Sequence, residues 1–384
     1  MPEPMSCSLP VADNPIFAIG DRAAALRAAG VDVITLAAGE PERSPSDAVL
    51  DAAAAAIRHA DTHHYGSAAG LAELRAEIAG SYPHGTVAAG GVQVAVGAKH
   101  ALHLALGAVA GPRDDVLVVR PSWPGHVAGV EAIGANAVSV PAGPEGTVDV
   151  SELERARTPR VKALVIANPA NPSGVVHPPQ LVRELARWCR DHDIWFVSDE
   201  VYGGLVYDAE PRSTLETVAD ASRLIVVDGV SKLHAMTGWR VGWLIAPDPI
   251  LAAARRQVSA TITHVPVVTQ HAALAAMRDR DSARRTADEY REARDALVDR
   301  LQTIPGVRCP RPAGGMFAFP DVSGLLRTGR WQGSAGLATW LLDEARVAVV
   351  AGGVFGAEDH LRVSFAVDHD RLVEAADRLV RALT

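Results

Sequence analysis

The chain has 384 residues and a formal net charge of -8, which argues against nucleic acid or an anionic membrane surface as a partner. Hydrophobic residues make up 48% and charged residues 21%, as in an ordinary soluble globular protein, and the length favours two domains. Its cysteines, Cys7, Cys189 and Cys309, are widely spaced, so neither a disulfide framework nor a zinc site is predicted.

The N-terminus, MPEPMSCSLPVADN, lacks a basic start followed by an apolar run, so no signal peptide is predicted. Apolar stretches such as ALHLALGAVAG are too short to span a bilayer. We therefore expect a cytoplasmic protein without a nucleic-acid or membrane partner.

The predicted elements begin with a helix over SDAVLDAAAAAIRHA, capped by Ser46 or Asp47. Short β-rich runs then recur along the chain: VQVAVG, DVLVVR, ALVIAN, IWFVSDE and LIVVDGVSK. Helical patterns such as PPQLVRELARWCRDHD lie between them. Apolar runs separated by helices are typical of a parallel sheet covered on both faces.

The pattern changes near residue 282, where an Arg-rich amphipathic helix, SARRTADEYREARDALVDRLQTI, begins. Shorter strands follow it, over GMFAFPD, VAVVAG and LRVSFA. This indicates a smaller α+β domain that the N-terminal segment joins. We expect a large domain over residues 46–282 and a small one formed by 1–45 and 283–384.

Polar side chains mark the ends of successive predicted strands, where open parallel sheets bind their ligands. They are Asn168 and Asn171 after ALVIAN, Asp199 and Tyr202 at WFVSDE, and Ser231 and Lys232 after LIVVDGVSK. A single polar strand end is usually a turn or a helix cap. Amide, carboxylate, phenol and amine together indicate a cofactor site.

Lysine is rare in this chain and occurs only at Lys99, Lys162 and Lys232. Codon bias explains this scarcity as well as a special role for Lys232 does. However, lysine can lose its proton and form an imine with a carbonyl, which arginine cannot. A reactive lysine with a carboxylate suits pyridoxal phosphate, because the carboxylate keeps the ring nitrogen protonated.

The phosphate of such a cofactor needs a cradle, and the sequence offers two parts of one. VGAKHALHLAL predicts a strand, a glycine and a helix, so that the backbone N–H groups near Ala98 and Lys99 face an anion. Arg240 follows Lys232 closely and can offer a bidentate fork, with the Ser231 hydroxyl beside it.

These features resemble the class I/II aminotransferases, which are pyridoxal-phosphate enzymes of fold type I, and within them the aspartate-aminotransferase-like branch. The family's motifs occur in order over nearly the whole chain: AAGEP, YGSAAGLAELR, VGAKHAL, NPANPSG, SDEVY, SKLHAMTGWRVGW and LRVSFA. Each motif alone is weak. The resemblance implies an α/β fold with a large, mostly parallel sheet domain, helices on both faces, and a smaller α+β domain.

The resemblance also implies roles for the residues at the strand ends. Lys232 matches the lysine that forms the Schiff base and moves the proton between the substrate Cα and the cofactor. Asp199 matches the acid on the pyridine nitrogen. Tyr202 and Asn171 match the partners of the ring's 3-oxygen, and Trp123 matches the aromatic residue stacked on the ring.

Further roles follow for the phosphate. Ser231, Arg240 and the backbone of Ala98 and Lys99 match its contacts within one subunit. Tyr65 matches a tyrosine that reaches the phosphate of the neighbouring subunit. A homodimer with shared active sites is therefore implied.

For the substrate, Arg362 matches the arginine that clamps the α-carboxylate, and Gly39 matches the backbone contact beside it. Trp123 and Asn171 complete the implied substrate-binding set. The activity implied is transfer of an amino group between an α-amino acid and a 2-oxo acid by a ping-pong mechanism.

Two other classes of function are associated with the same fold. A lyase, cyclase or oxidase that uses the same quinonoid intermediate would share all of these residues. A sensor, such as the aminotransferase-like half of a transcription regulator, needs a DNA-binding domain ahead of the fold, and too few residues precede DVITL for one.

The sequence departs from the branch at several positions. Asn14 and Ile16 stand where hydroxyl residues usually help to bind a side-chain carboxylate, so we expect a neutral or larger amino acid to be preferred over aspartate. Lys99 matches a lysine that can approach such a carboxylate, which leaves acidic substrates open. His126 and His234 replace residues that are often aromatic. We expect His126 to be a packing variation and His234 to tune the pocket.

Overall fold

The computed structural model describes residues 15–83, 86–143 and 146–384. Its strands in chain order are β1 (Ile34–Thr35), β2 (Val92–Ala95), β3 (Asp115–Arg120), β4 (Asn136–Pro141), β5 (Val161–Ala167), β6 (Trp195–Asp199), β7 (Leu224–Gly229), β8 (Gly242–Ile245), β9 (Phe317–Ala318), β10 (Val347–Ala348), β11 (Val350–Ala351) and β12 (Leu361–Ser364).

The helices alternate with these strands through most of the chain. They are α1 (Pro15–Ala28), α2 (Asp47–Arg58), α3 (Ala72–Gly80), α4 (Gly97–Val109), α5 (Pro124–Glu131), α6 (Val150–Ala156), α7 (Pro179–Asp191), α8 (Thr214–Thr217), α9 (Asp248–Thr261), α10 (Val267–Arg278), α11 (Arg280–Leu301), α12 (Ser323–Leu326), α13 (Gly333–Trp340) and α14 (His369–Leu383). Within the described ranges, no helix is both long and apolar enough to cross a membrane.

The largest sheet has seven strands in the order β2-β8-β7-β6-β5-β3-β4. Strand β8 runs antiparallel to β2 and β7, and the other neighbours are parallel. The predicted strands correspond to β2, β3, β5, β6 and β7. Two strands of this sheet were not predicted from the sequence. They are β4, an edge strand with several exposed residues, and β8, which follows the lysine motif directly.

Both faces of this sheet are buried. Successive residues of each strand point to opposite sides, and consecutive residues of the central strands are buried. Leu117, Leu164 and Val226 pack on one side against α3, α7 and α10. Val118 and Val165 pack on the other side against α4 and α9. Helices therefore cover both faces, and the predicted α/β class with a mostly parallel sheet is confirmed.

A second apolar core lies among the C-terminal elements. It includes side chains of α11, α14, β9 and β12, such as Leu297, Leu372, Phe317 and Val363. Strands β11, β12 and β9 form an antiparallel sheet there, and β1 pairs with β10. The predicted strand VAVVAG is thus divided into β10 and β11, which belong to different sheets. The division into 46–282 and 1–45 with 283–384 stays a prediction.

The register of the central strands sets the position of the functional residues. Ala167, Asp199 and Val227 are directly paired across β5, β6 and β7. Because these strands are parallel, the segments that follow them leave the sheet at the same edge.

Candidate active site

A cavity of about 720 Å³ opens at the carboxyl edge of the parallel strands. Every predicted site residue except Tyr65 lines it: Gly39, Ala98, Lys99, Trp123, Asn171, Asp199, Tyr202, Ser231, Lys232, Arg240 and Arg362. Asn168, at the end of one of the same strands, does not line the cavity; its Oδ1 accepts a hydrogen bond from the His177 backbone and holds the loop after β5. Within the described ranges, no cluster of side chains suits a metal ion.

Lys232 follows the end of β7 and presents its amine to the cavity. Its Nζ donates a hydrogen bond to the Gly39 carbonyl oxygen at 2.7 Å. Burial lowers the pKa of Lys232 to about 8, against a smaller opposing effect of the Glu40 carboxylate. About a tenth of this amine is therefore uncharged at pH 7, far more than for an ordinary lysine, and the uncharged form is the one that attacks a carbonyl.

Asp199 ends β6 and lies deep in the cavity, where only 6% of its surface is exposed. Its Oδ2 lies 2.9 Å from Nε2 of His126, and its Oδ1 accepts from the Val201 backbone. A carboxylate accepts, so we assign the proton of this contact to His126 Nε2. These two contacts, one to each oxygen, fix the direction of the Asp199 carboxylate.

The structure reverses the expectation for the two histidines. His126, expected to be a packing variation, is buried in α5 against Asp199, and its ring lies edge-on to Trp123 with centroids 5.5 Å apart. His234 does not line the cavity; it faces a separate small cleft with Arg43 and Thr286. Burial lowers the pKa of His234 to about 4, so it stays neutral there. The prediction that His234 tunes the pocket was wrong.

Trp123 stands at the start of α5, at the wall of the cavity. Gly125 lets its ring lie over the backbone, since a Cβ at this position would come within 2.2 Å of the ring. The Lys99 amine lies 5.1 Å from the ring centroid, over its face. Trp123 thus presents a flat apolar surface to the cavity, with a cation on it.

The segment 97–98 and Arg240 form a cradle for an anion. Helix α4 begins at Gly97 without a side-chain cap, so its first N–H groups have no partner in the helix. Gly97 has φ of +79°, and a Cβ there would lie 2.5 Å from Nη2 of Arg240. Arg240 Nη1 donates to the Thr237 carbonyl oxygen at 2.7 Å. Free N–H groups, a guanidinium and the nearby Ser231 hydroxyl fit a phosphate.

Tyr202 and Asn171 are neighbours in the cavity wall and are nearly fully buried. Burial raises the pKa of Tyr202, so its phenol is protonated at neutral pH and can donate a hydrogen bond. Asn171 Oδ1 accepts from Nη1 of Arg362 at 3.3 Å. The amide therefore contacts the group expected to bind the substrate.

Arg362 lies in β12 with 1% of its surface exposed. Its Nη2 donates to the Ala37 carbonyl oxygen at 3.0 Å. Burial lowers the pKa of Arg362 to about 10, which still leaves it a cation at neutral pH. Gly39 lies next to it, with room for a Cβ at 3.8 Å from Nη2.

The cavity cations Lys232, Arg240 and Arg362 share one property. Each donates to a backbone carbonyl oxygen, and none forms an ion pair with a carboxylate in residues 15–83, 86–143 or 146–384. A carbonyl oxygen carries only a partial charge. The cations therefore keep most of their attraction for an anionic ligand.

Tyr65 lies outside the cavity of its own chain. It is 88% exposed, and its ring is edge-on to His264, with centroids 5.9 Å apart. Asn14 is outside the described residues, and Ile16 falls in α1 at a position whose side chain is not described. The expectation drawn from these two residues stays a prediction.

A family model described as aminotransferase class I and II matches residues 31–379. The chain belongs to this family. An aspartate aminotransferase of Streptomyces avermitilis is 38% identical to it, over 97% of this chain and 95% of the relative. An asparagine–oxo-acid transaminase of Streptococcus mutans is 30% identical, over 97% and 96%.

Solved structures give the same result. An aspartate aminotransferase from Thermus thermophilus with maleate has a TM-score of 0.90 at 32% identity and covers 97% of both chains. One from Rhizobium meliloti has a TM-score of 0.92 at 29% identity, over 99% of this chain and 98% of that one.

The aminotransferase is thus an enzyme that transfers amino groups, as the motifs implied, and the relatives do not favour the lyase, cyclase and oxidase alternatives. Its family depends on pyridoxal phosphate and acts on amino acids and 2-oxo acids.

The contact between His126 and Asp199 leads to a prediction. Replacing His126 by Leu removes the hydrogen-bond donor from the buried Asp199 carboxylate, which leaves one of its oxygens without a partner and loosens its orientation. We expect kcat to fall about tenfold or more, as when a supporting hydrogen bond to a functional group is lost. We also expect a change in the pH dependence of the absorbance of the loaded enzyme, that is, the enzyme with pyridoxal phosphate bound.

His234→Leu is the matched control, because the same substitution is made outside the cavity. It should leave both kcat and the pH dependence of the absorbance close to wild type. Equal effects of the two variants would show that the His126 contact has no special importance.

Proposed function

We propose that this aminotransferase binds pyridoxal phosphate in the 720 Å³ cavity, with Lys232 as the residue that holds it and moves protons during the reaction. The observation that carries the proposal is the set of groups around this one space. They are an amine with a lowered pKa, a buried carboxylate, a helix start with a guanidinium, and a second buried guanidinium.

When bound, the cofactor supplies an aldehyde that takes up an amine and a protonated ring that withdraws electrons. Lys232 would hold the aldehyde carbon, and Asp199, fixed by His126, would keep the ring nitrogen protonated. The N–H groups at Ala98 and Lys99, with Arg240, would bind the phosphate, beside the Ser231 hydroxyl.

The remaining residues of the cavity orient the substrate. Arg362 would bind the α-carboxylate through N–H groups that no carboxylate of the described chain occupies, with Gly39 and Asn171 beside it. The Lys232 amine would accept the proton from the substrate Cα and deliver it to the cofactor carbon that this amine had held. Repeating these proton movements in reverse with a 2-oxo acid gives ping-pong kinetics.

The part of the cavity proposed to receive the substrate side chain is lined by both acidic and basic residues. Helix α1 contributes Gly20, Asp21 and Arg27 to the cavity, and Lys99 lies across Trp123. Asp21 repels a second carboxylate, whereas Lys99 and Arg27 attract one. A site specific for dicarboxylates would not include an acidic side chain such as Asp21. We therefore propose that a neutral or larger amino acid is preferred, and the names of the relatives make aspartate the second candidate.

A panel of amino acids tests the proposed reaction and its preference together. Each amino acid is mixed with the loaded enzyme without a 2-oxo acid, and formation of the aminated cofactor is followed by absorbance. We expect conversion, with a higher kcat/KM for neutral or larger amino acids than for aspartate.

Asparagine and aspartate form the matched pair of this panel, because they differ in charge at nearly equal size. A clear preference for aspartate over every other amino acid would overturn the proposed specificity and favour the second candidate. An absence of conversion by all of them would overturn the proposed reaction.

We also propose a homodimer in which Tyr65 completes the neighbour's active site. Tyr65 is 88% exposed, and Ile57 nearby along the chain is 57% exposed, which is unusual for large apolar side chains. A second copy that covers this face would bury both. The pocket of a single chain lacks Tyr65, so the cofactor phosphate would gain a contact only in the dimer.

Subunit complementation tests this arrangement. Lys232→Ala and Tyr65→Ala should each be impaired alone, whereas a heterodimer of the two carries one site with both residues intact. After subunit exchange, activity should rise to about a quarter of wild type, because about half of the dimers are mixed and each has one intact site. No gain over the separate variants, despite exchange shown with tagged subunits, would place Tyr65 in its own subunit's chemistry or in none.

A further inference from the structure

The guanidinium of Arg362 lies over two phenylalanine rings. Its Cζ is 4.1 Å from the ring centroid of Phe317 and 4.9 Å from that of Phe355. Both rings are fully buried, as Arg362 itself is. A cation over an aromatic face is attracted by the ring quadrupole, and more strongly where water is excluded.

The polar contacts of this guanidinium are sparse. They are the Ala37 carbonyl oxygen and Asn171 Oδ1, and within the part of the chain that is described its Nε is buried without a hydrogen-bond partner. No carboxylate of that part pairs with it. A buried cation without a counter-ion is costly. Ring faces offset part of this cost and, unlike a carboxylate, leave the N–H donors free for a substrate.

Each ring is itself held in place. Phe317 lies edge-on to Tyr202, with centroids 6.0 Å apart, and Phe355 lies edge-on to Phe319 at 6.1 Å. The Phe355 carbonyl oxygen also accepts from the backbone of Ser122, the residue before Trp123. Phe355 therefore connects the guanidinium to the segment that carries the aromatic wall of the cavity.

We propose that Phe355 is a positioning residue for substrate binding, whose ring holds the guanidinium of Arg362 in the orientation that receives the α-carboxylate. Phe317 acts in the same way from β9. This inference rests on the proposed role of Arg362 and adds to it the contacts that keep its guanidinium in one orientation.

The test uses the loaded enzyme and three variants. Phe355→Leu removes the ring and keeps an apolar side chain, and Phe355→Tyr keeps the ring. Phe319→Leu is the matched control, because Phe319 belongs to the same apolar cluster and touches Phe355 but not Arg362. Phe355→Met is the substitute should Phe355→Leu fail to fold.

Two probes are titrated into each protein and followed by the absorbance of the bound cofactor. One is the carboxylic acid that has the side chain of the best amino acid but lacks its amino group. The other is the corresponding carboxamide, which has no charge for Arg362 to bind. The KM and kcat of the amino acid are measured in parallel.

We expect Phe355→Leu to raise the Kd of the acid, and the KM of the amino acid, by about three- to thirtyfold, the range of one buried cation–π contact. The Kd of the carboxamide and kcat at saturation should change little. Phe355→Tyr should bind the acid with a Kd close to that of wild type, and so should Phe319→Leu.

Unchanged binding of the acid in Phe355→Leu would overturn the proposal. An equal loss of affinity for the acid and the carboxamide would also overturn it, and so would an equal loss of acid affinity in Phe319→Leu. Either result would show a general packing defect. Acid binding is measured without turnover, so failure of the proposed reaction in wild type would be seen separately.

Discussion

The parallel register of β5, β6 and β7 is the constraint on which the site depends. Direct pairing of Ala167, Asp199 and Val227 brings the ends of β5 and β6 level with each other, just before β7 ends at Gly229. The segments that follow the strands, which include Asn171 and Lys232, then leave the sheet side by side. A shift by one residue would turn the Asp199 side chain to the other face of the sheet, away from His126 and the cavity.

Around this frame the chain places cations that its own carboxylates do not neutralise. Gly39, Thr237 and Ala37 offer carbonyl oxygens to Lys232, Arg240 and Arg362. Such contacts fix direction without cancelling charge. They leave the cavity attractive to a phosphate at one end and a carboxylate at the other, which is the charge pattern that a phosphorylated cofactor and an amino acid require.

The sequence predicted that polar residues at the strand ends would lie close together, and all of them except Asn168 line one cavity, because a parallel sheet converts order along the chain into proximity in space. It did not predict the contact of His126 with Asp199, since the phase of α5 relative to β6 depends on packing. The edge strand β4 was missed because NAVSVP has no continuous apolar run, and β8 was missed because the short GWLI run follows the lysine motif with no long helix between them. His234 was misplaced because closeness to Lys232 along the chain does not decide the direction of a side chain in a turn.

The central claim is that Lys232 holds the cofactor, and chemical mapping tests it most directly. Borohydride reduction fixes the cofactor on the amine that holds it, and trypsin then releases peptides for mass spectrometry. The account predicts the added mass on the peptide of residues 224–240, LIVVDGVSKLHAMTGWR, which contains Lys232 as its single lysine. Added mass on a peptide with Lys99 or Lys162, or on none, would contradict it.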